Sequence, residues 1–404
     1  MASPAPSAPA DPGPERCLLP TAAGLRVALY SGNYNSVRDG ANKALNRLVD
    51  HLLARGAAVR VYAPADPAQV FEAPGDIVEV PSRPIPTRGE YRVTIGLGRT
   101  VREDIAAFAP NLMHVSVPDL TGWQAQNLGR KMGIPVVASL HTLFETYLEY
   151  YGLGFLRRPG EAYLARFYGR CDLVLVPNQA VAEDLARANP GLRTSVWGRG
   201  VEHGFFSPAN RDMAWRRAQG YADDETVVAF FGRLVLEKGT QLFADVIAEL
   251  RRRGHKVVPL MIGQGPERER MEGLLGEAVF TGHIEGEALA RAVASADIVI
   301  NPSVTEAFGN VNLEAMAAGL AVVAADVPVT RTMIDDGRSG FLVDPHSVAG
   351  FSDVVERLIG DPALRQTVAT NARGEAEAYD WDTILDGVVG AYLSLLKPES
   401  PGAP

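Results

Sequence analysis

Residues 298–319 read IVINPSVTEAFGNVNLEAMAAG. Ile298, Val299 and Ile300 form a short apolar run of the kind that makes a strand buried on both faces. A polar stretch containing Pro302 and Gly309 follows, and Asn310–Ala318 then reads as a helix with Asn310 as its N-cap. A buried strand that feeds a helix through a glycine loop is the repeating unit of a parallel α/β sheet.

Working outward, the same alternation runs through both halves of the chain. In the first half the strand candidates are Leu25–Tyr30, Ala58–Ala63, Ile77–Val80, Leu112–Val117, Pro135–Leu140, Leu173–Val176 and Ser195–Trp197. In the second they are Val227–Phe231, Val257–Ile262, Val279–Phe280, Ile298–Ile300, Ala321–Ala324 and Phe341–Val343. Helical patterns lie between most of them, among them Gly40–Arg55, Gln179–Ala188, Thr240–Arg253 and Ala288–Ala294. The periodicity breaks at Phe206–Arg211, where Ser207, Pro208 and Asn210 interrupt it. The expected organisation is a disordered tail over 1–23, one Rossmann-like domain over 24–207 and a second over 208–380. A last helix, 381–397, has no further strand to feed and is free to cross back to the first domain.

Composition narrows the function. A net charge of −9 argues against a nucleic-acid binder, which would carry a basic excess. The two cysteines, Cys17 and Cys171, form neither a disulfide framework nor a CxxC metal site, which suits a reducing, cytoplasmic setting. No apolar run approaches the ~18 residues of a membrane-spanning helix. The opening MASPAPSAPADPGPERC lacks the basic and apolar regions of a signal peptide.

In doubly wound sheets ligands bind beyond the carboxyl ends of the strands. There the sequence places Gly40, in a glycine-containing turn after the first strand, and His141 directly after Pro135–Leu140. It also places Gly232 and Arg233, then Lys238; Gly263; and the run from Thr305 to Gly319. A glycine ahead of a helix N-terminus leaves backbone N–H groups free for an anion such as a pyrophosphate. Glu306 and Glu314 flank that point. A carboxylate beside a phosphate repels it, so their use is to accept hydrogen bonds from hydroxyls, Glu306 from a sugar and Glu314 from a ribose. The bland reading makes them a loop charge and a solvated helix residue. Arg233 and Lys238 suit the diphosphate, the guanidinium as a bidentate fork and the ammonium as a point charge. His141 either lines the sugar or satisfies a structural hydrogen bond.

The segments GRLVLEKG, GQGPERERME, FTGH and SVTEAFGNVNLEAMAAGLAVVA resemble the C-terminal half of retaining glycosyltransferases of the GT-B fold. More narrowly they resemble glycosyltransferase family 4, with its mannosyltransferases and sulfoquinovosyl-lipid synthases. DGANKAL, SLHTLFETYLEYYG and VWGRGVEHGFF are similar to N-terminal segments of that family, so the resemblance runs from Leu25 to Tyr392. It implies two facing Rossmann-like domains around a cleft and transfer of a hexose from GDP-mannose or a UDP-hexose with retention. Glu306 and Glu314 fall on the family's E-x7-E positions, and Arg233 and Lys238 on its phosphate-binding pair.

The resemblance implies His141, Glu306, Arg233 and Lys238 as catalytic residues. Gly40, Gly232, Gly263, Phe308, Gly309, Asn310, Val311 and Glu314 complete the donor site, and Asp39, Tyr147, Tyr150 and Arg199 meet the acceptor. Neither metal nor cofactor is expected, since the only D-x-D, Asp380-Trp381-Asp382, lies in the C-terminal helical region. A departure stands at Asp326–Thr330, where many relatives carry a Gly-Gly turn, which bears on donor identity. Phe144, Tyr147, Tyr150, Tyr151 and Phe155 beside Arg157 and Arg158 suit either helix packing or contact with a membrane surface. The expected partners are a nucleotide sugar and a lipid, glycan or small-molecule acceptor, at the inner face of the membrane. The rival functions are a sugar-nucleotide epimerase and a non-catalytic binding protein of the same fold.

Overall fold

The computed structural model describes residues 21–34, 40–64, 73–85, 88–141, 155, 157–306 and 308–396. Asp39, Tyr147, Tyr150 and most of the aromatic stretch lie outside the described residues; Phe155, within them, is exposed.

Two parallel sheets carry the fold. The first has seven strands: β1 (Arg26–Tyr30), β2 (Ala58–Pro64), β3 (Asp76–Val80), β6 (Leu112–Val115), β7 (Val136–Ser139), β8 (Leu173–Val176) and β9 (Thr194–Val196). Their order is β3-β2-β1-β6-β7-β8-β9. The second has six: β10 (Val228–Phe231), β11 (Leu260–Ile262), β12 (Val279–Gly282), β13 (Ile298–Asn301), β14 (Ala321–Ala325) and β15 (Phe341–Val343), in the order β12-β11-β10-β13-β14-β15. Strands β8 and β14 are buried along their whole length, which explains their unbroken apolar sequences. Each sheet separates two apolar clusters, so each half has its own core on both faces.

An antiparallel hairpin, β4 (Ser82–Ile85) with β5 (Arg88–Thr94), was not expected from the sequence. Pro84, Pro86 and Gly89 mask its alternation, and a hairpin outside the main sheets tolerates the missing donor of a proline.

Helices cover both sheets. Helix α1 (Gly40–Ala54) follows β1, and the last one, numbered α13 by chain order (Trp381–Leu396), packs on the first domain, not the second. Tyr392 there donates to or accepts from His114 Nδ1 at 2.8 Å, and Asp386 meets His51 at 2.8 Å and Arg55 at 2.8 Å. Between the two halves, Pro208–Asn210 forms a single 3-10 turn capped by Ser207. No described helix is long and apolar enough to cross a membrane.

Candidate active site

Each sheet reverses its winding once, between β1 and β6 and between β10 and β13. Ligands bind at such switch points, because the connections on either side leave in opposite directions and open a crevice. In the second domain that crevice lies between the turn after β10 and the loop after β13, the two segments that carry Gly232–Gly239 and Pro302–Gly309.

The turn after β10 is built by close backbone approach. A Cβ on Gly263 would stand 1.9 Å from the carbonyl oxygen of Gly232, and Gly263 has φ +138°. No other residue type fits there. The turn is then tied down by Leu234 N–H to Gln264 O at 3.1 Å and Glu267 N–H to Leu234 O at 3.0 Å. Arg233 projects from it, exposed and without a partner among the described residues. Lys238 bonds Glu306 instead, Nζ to Oε1 at 2.7 Å, with the two side chains 23% and 12% exposed. The pair stitches the β10 turn to the β13 loop and holds both groups at the crevice.

The following helix, α10 (Asn310–Ala317), corrects one expectation. Asn310 is its first helical residue and not its cap. The cap is Gly309, left-handed at φ +90°, a conformation that glycine adopts without the steric cost of a side chain. No side chain caps this end. Asn312 and Leu313 return their N–H groups to Gly309 O, at 3.0 and 3.3 Å, while those of Asn310 and Val311 have no partner among the described residues. Free N–H groups at the positive end of a helix suit an anion. The Val311 methyl lies 3.7 Å from where a Gly232 Cβ would be, so this end abuts the β10 turn.

The first domain meets α10 directly. A Cβ on Gly40 would be 3.2 Å from Asn310 Nδ2, and one on Gly198 would be 3.3 Å from the ring of Phe308. Phe308 is buried and sits edge-on to Tyr379. One turn into α10, the Glu314 carboxyl is desolvated enough to push its pKa up to about 7, with the Lys43 ammonium of α1 drawing it back down. Lys43 was missed at the sequence level. Its position one turn after Gly40 in DGANKAL, on a helix aimed at the cleft, was the available signal.

His141 stands just past the carboxyl end of β7, on the edge that faces the second domain. Arg199 donates from Nη2 to its Nδ1 at 2.9 Å, and Trp197 lies edge-on to its ring at 4.9 Å. Burial, then the Arg199 charge, then His114 hold its pKa well below the usual histidine value. Arg199, expected to meet the acceptor, is itself buried and also donates to the carbonyls of Trp197 and Gly198, at 3.2 and 3.0 Å.

Away from the cleft, Asp380 accepts from Thr383 N–H at 2.8 Å as a helix cap, which accounts for half of the D-x-D. The Asp326–Thr330 loop closes on itself, with Thr330 Oγ1 donating to Ala325 O at 2.6 Å and Arg331 paired with Asp326. A surface hollow of ≈ 630 Å³ beside Phe205, Asn210 and Arg291 contains none of the residues above.

Both halves of the chain match known proteins. Residues 38–205 match the family described as Glycosyltransferase Family 4, and residues 212–375 match Glycosyl transferases group 1. The GDP-mannose-dependent alpha-mannosyltransferase of Mycolicibacterium smegmatis is 31% identical over 387 residues, covering 93% of this chain and 99% of the relative. The sulfoquinovosyl transferase of Arabidopsis thaliana is 32% identical over 308 residues, covering 74% of this chain and 60% of the relative. Among solved structures, sucrose-phosphate synthase from Thermosynechococcus elongatus superposes with a TM-score of 0.72 at 21% identity, covering 92% of this chain and 99% of that one. The chain therefore belongs to glycosyltransferase family 4, enzymes that transfer a sugar from a nucleotide sugar between two facing Rossmann-like domains.

Proposed function

We propose that the enzyme transfers a hexose with retention, from GDP-mannose first and a UDP-hexose second, to a hydroxyl of a lipid, glycan or small molecule. The observation that carries this reading is the Lys238–Glu306 pair beside the uncapped N-terminus of α10. Together they offer a cation and free N–H groups where a diphosphate would lie, and a carboxylate where a sugar hydroxyl would lie. GDP-mannose is supported by the 31% identical relative of that name. The UDP alternative is supported by HepE of Anabaena, solved with UDP, which shares the fold at 20% identity.

In this reading Arg233, Lys238 and the α10 N–H groups bind the diphosphate, with no metal and no cofactor. Gly40, Gly232, Gly263, Phe308, Gly309, Asn310 and Val311 shape the donor pocket around it. Glu314 accepts from the ribose hydroxyls; Glu306 and His141 hold the sugar. The acceptor oxygen attacks the anomeric carbon on the face that the diphosphate leaves. The C1–O bond to phosphate breaks as the new C1–O bond forms, and the acceptor's proton passes to a departing phosphate oxygen. No side chain becomes a covalent nucleophile. The enzyme works in the cytoplasm at the inner face of a membrane.

The test incubates the protein with EDTA and GDP-mannose, UDP-glucose, UDP-GlcNAc or UDP-glucuronate, and follows donor hydrolysis and transfer. Turnover of GDP-mannose with an α-linked product supports the proposal. Turnover only with added Mg²⁺ contradicts the metal-free reading, and turnover of a UDP-sugar alone reverses the order of donors.

A further inference from the structure

We propose that Arg199 is a positioning residue for His141: it fixes the imidazole in its Nε2–H form and so presents a hydrogen-bond donor to an oxygen of the donated sugar. The inference rests on the reading that His141 lines the sugar.

A guanidinium carries only donors, so the 2.9 Å contact from Arg199 Nη2 makes His141 Nδ1 the acceptor. A neutral imidazole then bears its one proton on Nε2. That nitrogen is buried and has no hydrogen-bond partner among the described residues. Leaving such a donor unmet is costly, and native proteins keep few of them without a use. A sugar oxygen arriving in the cleft would satisfy it.

The guanidinium cannot swing away. Its Nη1 is held by two backbone carbonyls, Trp197 O and Gly198 O, and its carbon lies 5.5 Å from the centre of the Trp197 ring. The same ring stands edge-on to His141, at 77° between planes. Trp197 thus sets the plane of the imidazole, and Arg199 sets which way its proton points.

Burial first, and the cation after it, keep His141 neutral, so the ring remains a single directed donor. Among the described residues the groups that face it are Arg199, from the strand exit after β9, and His114, from β6. Buried His114 is itself held between Ser139 Oγ and the Tyr392 hydroxyl, each at 2.8 Å, and burial pulls its pKa down to about 3. It therefore adds no charge at working pH, and Arg199 is the fixed cation of the group.

Three variants separate this role from packing. Gln at 199 either donates or accepts and is uncharged, so R199Q releases the choice of tautomer. Lys donates only and is charged, so R199K keeps it. H141A removes the ring. The readouts are kcat and KM from pH 5 to 9 with the donor that supports turnover, and ¹⁵N–¹H two-bond spectra of protein labelled at its 7 histidines. In the parent, His141 should show the Nε2–H tautomer without titrating. R199Q should show mixed tautomers, a fall in kcat of about 10²-fold, the scale of a misplaced reacting group, and a new acidic limb in its pH profile. R199K should recover the tautomer and most of the lost kcat. If R199Q does not fold, R199K still decides: loss of the Nε2–H signal in a folded R199K overturns the proposal. An unchanged tautomer and pH profile in R199Q overturns it too. Parental kcat in H141A would instead sink the reading of His141 as a sugar contact, and this inference with it.

Discussion

The two halves of the cleft are made of different material. The second domain supplies mostly backbone: Gly263 pressed against the Gly232 carbonyl, Gly309 turned left-handed, and N–H groups of Asn310 and Val311 that no described residue meets. The first domain supplies a buried relay of side chains, Arg199 to His141, Trp197 between His141 and His114, and His114 to Tyr392. A backbone cradle suits a diphosphate, whose charge and shape are the same in every nucleotide sugar. A side-chain relay suits a hydroxyl pattern, which differs from sugar to sugar and needs directed donors. On the proposed reading, affinity lies in one half and sugar discrimination in the other.

The largest effect is expected at Gly263. Gly263→Ala should cost about 3 kcal/mol or more, through overpacking and the strain of a left-handed alanine, and should abolish donor binding. Thermal unfolding and donor titration check both, and a stable, donor-binding variant would show that the backbone does not set the crevice. Next comes Lys238→Met, which strands Glu306 without its partner. It should lower kcat by about 10²–10³-fold, the usual loss of one charge-stabilising contact. A loss confined to KM would mean that the pair binds without acting in the transition state.

Glu314 gives an intermediate effect with a definite sign. Its folded-state pKa is raised from 4.5 to about 7, so the folded protein holds a proton that the unfolded chain has released between those values. Stability should therefore fall as pH rises from 4.5 to 7, and Glu314→Gln should remove that slope. Ribose hydroxyls donate better to the ionised carboxylate, so donor binding near pH 6 should release protons, measurable by calorimetry in buffers of different ionisation heat. Proton uptake would place the ribose elsewhere. The smallest effect is on the far side of the comparison. Gly273 lies inside the helix Arg268–Leu275 with nothing near its missing Cβ, so Gly273→Ala should stabilise by about 0.5–1 kcal/mol and leave activity unchanged.

The same contrast explains what the sequence discloses. A backbone site announces itself locally: Gly232, Gly263 and Gly309 follow strands, and Glu306, Glu314, Arg233 and Lys238 lie in short segments around them. The parallel sheets are equally local, because strands buried on both faces, such as Leu173–Val176, read as apolar runs. The relay is invisible in sequence. Arg199 and His141 are 58 residues apart and Tyr392 and His114 are 278 apart, and only the sheet order and the returning last helix bring them together. The Asn310 cap failed for a local reason, since a left-handed glycine one position earlier ended the loop first. The β4–β5 hairpin was hidden by its prolines.

The division of labour has one direct measurement: calorimetric titration of GDP, which lacks the sugar, and of GDP-mannose, both in EDTA, into the parent, Arg233→Ala and His141→Ala. Arg233→Ala should weaken both ligands alike, while His141→Ala should leave GDP untouched and weaken only GDP-mannose. Loss of GDP binding in His141→Ala, with Arg233→Ala binding as the parent does, would contradict it.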